Sequence, residues 1–155
     1  MNSKKLFIWG FLFVSVIGSL LHFVYEWSGN NSIVRLFAPW NESTWEHMKL
    51  LFFPMLVLVL FLFFKLPEQS PIPVALSIGT LVGLALIPIL FYTYTGVLGF
   101  SVMAIDIAIF YISVLGIFLT GWFLKDNRKL ANRNGLLLTC LVILAILFFI
   151  FSYYI

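Results

Sequence analysis

The sequence predicts an all-α integral membrane protein, a single helical bundle over residues 1–155 with five transmembrane helices and an interfacial segment between helices 1 and 2. Three observations carry this. Of 155 residues, 63% are hydrophobic and only 10% are charged, where a soluble domain would carry about 25% charged residues. Five apolar runs approach the ~20 residues that an α-helix needs to cross a bilayer. The basic residues behind the net charge of +3 are used up by membrane topology, which removes nucleic acid as an expected partner.

Helix 1 is expected over about 6–25. Lys4 and Lys5 precede an unbroken apolar run from Leu6 to Leu21, continued by His22-Phe23-Val24-Tyr25. A secretory signal has the same basic start, but this run has no small-x-small cleavage site and ends in His, Tyr, Glu and Trp. The turn Trp27-Ser28-Gly29-Asn30-Asn31-Ser32 follows, with Gly and Asn able to take left-handed conformations. Ile33 to Trp40 is eight residues broken by Arg35 and Pro39, too short to span. It should lie in the interface, or dip in where protein covers its backbone.

Helix 2 is expected over about 44–64. The pure apolar stretch from Leu50 to Phe64 is only 15 residues, so the helix must reach back to Thr44. Ser43-Thr44-Trp45-Glu46 fits a capping box, in which the serine oxygen accepts a backbone N–H and the glutamate reaches back. Pro54 is a candidate kink. After the proline-rich turn from Lys65 to Pro73, helix 3 is expected over about 74–94, with Gly79-x-x-x-Gly83 permitting close helix contact. Such a face could pack against a second copy or a partner membrane subunit.

Thr95 to Ser101 reads as a turn around Gly96 and Gly99, with helix 4 over 101–124 and Asp106 inside it. The basic loop from Lys125 to Asn134 leads to helix 5 over 135–154, closed by Tyr153 and Tyr154 as interfacial anchors. Five crossings place Lys4, Lys5, Lys65, Lys125, Arg128, Lys129 and Arg133 on one side and Arg35 and Lys49 on the other. By the positive-inside rule the N-terminus is cytoplasmic and the C-terminus extracytoplasmic. Cys140, the only cysteine, lies in an apolar run and forms no internal disulfide.

Chemistry concentrates between His22 and Lys49, a stretch with both histidines and three of the six acids. His22 and Glu26 are four apart and share a helix face; so do Glu42 and Glu46 if helix 2 begins early enough. His22, Glu26, Glu46 and His47 are the candidate metal ligands, zinc first, manganese or iron second. Glu42 and Asp106 are the supporting acids, and Lys49 or Asn41 could stabilise an oxyanion. Against this stands a hydrogen-bonded lock, in which the same carboxylates pin the connection between helices 1 and 2. Asp106 could equally be bonded to Tyr92, Tyr94 or a backbone carbonyl, and Lys49 could snorkel to water. Trp27, Trp40 and Trp45 fit an interfacial belt.

The motifs His22-Phe23-x-Tyr25-Glu26-Trp27-Ser28-Gly29 and Asn41-Glu42-Ser43-x-Trp45-Glu46-His47-x-Lys49 resemble those of a family of small bacterial multi-pass membrane proteins, catalogued as a domain of unknown function. The resemblance implies a bacterial plasma membrane protein and transfers no reaction. The function expected from the residues is a membrane-embedded hydrolase or transferase on a lipid or lipid-linked substrate at the extracytoplasmic face, using a divalent metal. The alternative is a small transport or partner-binding subunit whose cluster binds a cation or relays protons.

Overall fold

Asn2 opens the first helix, its side chain accepting the Lys4 N–H at 3.0 Å, which satisfies one of the donors a helix start leaves free. The computed structural model describes residues 2–154. Its helices are α1 (Ser3–Trp27), α2 (Thr44–Lys65), α3 (Ile72–Leu98), α4 (Met103–Leu124) and α5 (Asn134–Tyr154), with short 3-10 segments at Val34–Leu36 and Arg128–Arg133. All five α-helices are long and apolar enough to cross a membrane. The chain is a multi-pass membrane protein.

Many large apolar side chains face outward, among them Trp9, Phe61, Phe64, Phe123 and Ile143. That is the pattern of a bundle solvated by hydrocarbon rather than water. Inside, small residues set the helix spacing. α3 and α4 form the tightest pair: a methyl on Gly79 would collide with the Ile117 carbonyl, and one on Gly83 would meet the Ile117 side chain at 2.5 Å. The Gly79-x-x-x-Gly83 face is therefore covered within the chain. Within the chain its spacing serves the packing of α3 on α4. A methyl on Gly18 would lie 2.5 Å from the Leu50 carbonyl, so α1 and α2 approach closely just inward of His22.

The third helix runs further than its sequence predicts. Gly96 continues it, and Gly99 ends it with φ of 81°, a left-handed cap that donates its N–H to the Thr95 carbonyl. Threonines 93 and 95 do not break the helix because their hydroxyls bond back to the Ile89 and Phe91 carbonyls. The turn after α1 takes left-handed conformations at Gly29 (φ 69°) and Asn30 (φ 62°), as its composition predicts. The fifth helix is held to the start of α2 by aromatic contacts, Phe52 on Phe148 at 4.9 Å and Phe53 stacked on Phe149 at 5.7 Å. Phe37 touches both Phe53 and Phe149, which seats the α1–α2 connection on the bundle end.

Candidate functional site

Ser43 decides where the site forms. Its backbone is extended and its hydroxyl accepts the Glu46 N–H at 3.3 Å, so α2 begins at Thr44. Only half of the expected capping box is built: the Ser43 N–H donates to Asn41 Oδ1 at 2.9 Å, and Glu46 does not reach back. Because Glu42 precedes the cap, it is outside the helix and shares no face with Glu46. Its carboxylate instead folds over His47, with Oε2 3.4 Å from Nε2.

Glu42, His47 and His22 each present a ligand atom, and these atoms all lie within 4.8 Å of one another. The two imidazoles come from different helices, with ring centroids 5.4 Å apart. His47 Nδ1 lies 3.0 Å from the Ser43 carbonyl. A carbonyl only accepts, so Nδ1 carries the proton and the ring turns Nε2 toward Glu42. An unprotonated Nε2 facing a carboxylate is repulsive unless a cation lies between them. The arrangement can hold a proton or a divalent metal, and an imidazole oriented by a hydrogen bond from its other nitrogen is the usual form of a metal-ligating histidine.

Beside this triad is a cavity of about 110 Å³. α1 lines it with His22, Phe23, Tyr25 and Glu26. The opposite wall is the connection, through Pro39, Trp40, Asn41 and Glu42. His22 and Glu26 thus share the face their spacing predicts, with Glu26 on the cavity wall rather than in the triad.

Three other candidates are elsewhere. Glu46 is 1% exposed and Lys49 is 0% exposed. Lys49 Nζ bonds Glu46 Oε2 at 2.5 Å and the Arg35 carbonyl at 2.9 Å, so the lysine neither snorkels to water nor faces a substrate. Glu46 Oε1 accepts from Ser152 Oγ of α5 at 3.1 Å. This buried set joins α2, the connection and α5, and it occupies the glutamate that the sequence offered as a ligand. Asp106 accepts a hydrogen bond from Tyr94, whose oxygen accepts the Val102 N–H at 3.1 Å. Similar depth along α4 does not bring it to the histidines: it closes the α3–α4 turn. Asn41 lines the cavity, and its Oδ1 is engaged by Ser43.

The sequence reading missed Ser152, which looks like one more small residue in an apolar helix. It also preferred a belt role for Trp40 over stacking on a substrate; Trp40 lines the cavity and lies under the Arg35 guanidinium, 4.0 Å from its ring centroid. The Arg35-x-x-x-x-Trp40 spacing across Pro39 was the available signal.

Fold and site together define a five-helix, multi-pass membrane protein with a His/Glu cluster and a small polar cavity at one end of its bundle. Its family follows from the whole chain: the model of DUF6512, a family of unknown function, matches residues 1–155, and the protein belongs to that family. No curated protein and no solved structure matches it.

Proposed function

We propose that the protein is a membrane-embedded hydrolase or transferase that binds one divalent metal through His22, Glu42 and His47 and acts on a lipid or lipid-linked substrate. The observation that carries this is the convergence of the three ligand atoms within 4.8 Å, with His47 Nδ1 held by a carbonyl. Tetrahedral bonds of about 2.1 Å put ligand atoms about 3.4 Å apart, so closure around a metal needs side-chain shifts of about 1 Å. Two histidines and one carboxylate leave a fourth position open, as in catalytic zinc sites. Water bound there is acidified enough to supply hydroxide near neutral pH. A metal held by His22, Glu42 and His47 would in this way supply a nucleophile suited to cleaving an ester or amide, with the departing alcohol or amine taking up the proton. Zinc suits this donor set first, manganese or iron second.

The surroundings favour a lipid over a soluble substrate. Phe23 and Trp27 are exposed and stacked at 5.7 Å at the end of a membrane helix, beside the cavity. Seven basic residues on the opposite side against two on this one support a cytoplasmic N-terminus, and with it an extracytoplasmic site in a bacterial plasma membrane.

One observation favours transport instead: inward of His22, Ser19 bonds Tyr111 at 3.1 Å and the Ser15 and Ser113 hydroxyls are buried without a partner. Further inward, α1 and α4 meet through aromatic packing, with Phe7 edge-on to Phe118 at 6.2 Å and to Trp122 at 5.4 Å. A closed inner end suits a one-sided enzyme. The test is to load purified protein with zinc in nanodiscs of mixed lipids and follow the lipids by mass spectrometry. Time-dependent loss of one lipid class by the wild type and not by His47→Ala supports the reading. Unchanged lipids across ester, amide and phosphoester classes overturn it.

A further inference from the structure

The cavity beside the triad has a chemistry that the metal does not use. Three aromatic residues line it, Phe23, Tyr25 and Trp40, together with the carboxylates of Glu26 and Glu42. If the metal takes Glu42, Glu26 is left over, and its side chain has no hydrogen-bond or ion-pair partner among the described residues. Of the nearby cations, Lys49 is neutralised by Glu46, while Arg35 lies over Trp40 with its Nε buried and unpaired. In the metal-free protein two carboxylates, Glu26 and Glu42, stand against that one guanidinium, so the wall is net negative. A cation would find the unpaired Glu26 carboxylate beside the Tyr25 ring, the combination that recognises ammonium groups.

Size is compatible with such a ligand. The cavity, of about 110 Å³ and partly open, admits an ethylammonium group. We propose that this cavity binds an alkylammonium group, the amine end of an aminolipid headgroup, and so selects the substrate presented to the metal. The exposed Phe23–Trp27 stack keeps the cavity at headgroup level, where such lipids present their amines. The inference deepens the proposed function and rests on that reading only for the fate of the lipid. Binding itself needs no metal.

The test uses the full chain in detergent, once chelated and once zinc-loaded, mixed with phosphatidylethanolamine and phosphatidylglycerol of identical acyl chains. Retained lipid is counted by native mass spectrometry. The wild type should retain the amine lipid about tenfold over the glycerol lipid in both metal states, Glu26→Gln should bring the two within about twofold, and Tyr25→Leu should lower the preference about fivefold. Zinc content should be the same in all three proteins. Displacement of the bound lipid by free ethanolamine at equal concentration would keep the ammonium site but assign it to a soluble amine; resistance to displacement assigns it to the lipid. Equal retention of the two lipids by the wild type, or an intact preference in Glu26→Gln, overturns the inference. A preference that survives in a protein unable to bind zinc would uphold it while the metal reading fails.

Discussion

At the residue scale the two glutamates of one short motif have opposite fates. Glu46 is buried against Lys49 and Ser152, while Glu42, four positions earlier, is 87% exposed at its side chain and faces His47. Removing one partner of a buried ion pair strands the other charge, so Lys49→Met should cost about 3–5 kcal/mol, read as a large drop in thermal unfolding temperature in detergent. Lys49→Met combined with Glu46→Leu should recover most of that loss, because neither charge then remains buried. Recovery no better than the single variant would show that the pair does more than neutralise itself. Ser43→Ala should cost about 1 kcal/mol through the lost cap, and the same measurement checks it. The sequence puts both histidines and three acids in one stretch but does not say which glutamate faces the imidazoles. Both Ser43-capped and earlier helix starts were compatible with the apolar pattern, and an earlier start would put Glu42 on the helix face of Glu46 instead of folding it over His47.

At the scale of elements, the five helices were legible because runs of bilayer length leave few alternatives. Their partners were not. A Gly-x-x-x-Gly face marks close approach without naming what approaches, and here it receives Ile117 of α4 from the same chain. Gly79→Leu should therefore separate α3 from α4 and lower the unfolding temperature sharply, with the mass of the particle in detergent unchanged from wild type. By contrast Gly96→Ala should be neutral or stabilise by up to about 1 kcal/mol, since no atom lies within 4 Å of the added carbon and the residue is inside a helix. Equal damage from both variants would mean that helix packing is not what Gly79 provides. The end of α3 shows the limit of composition: Gly96 and Gly99 look alike in the sequence, and only Gly99 has the positive φ that stops the helix.

At the scale of the whole molecule, one end of the bundle carries the chemistry and the other carries seven of the nine basic residues. The first is built from the α1 and α2 termini, the connection between them and the last turn of α5, which Ser152 ties to Glu46. Placing that end outside the cytoplasm makes a prediction independent of metal: an alkaline phosphatase fused after Ile155 should be active, and a fusion in the loop after α4 inactive. The reverse pattern would put the site on the cytoplasmic side. The central claim, that His22, Glu42 and His47 hold a metal while Glu46 does not, is tested most directly by elemental analysis of the purified protein after zinc is added back and excess removed. The account predicts about one zinc per chain in the wild type and background levels in His22→Ala, His47→Ala and Glu42→Gln, each still folded by circular dichroism. Background zinc in the wild type, or a full equivalent retained in Glu42→Gln, would contradict it.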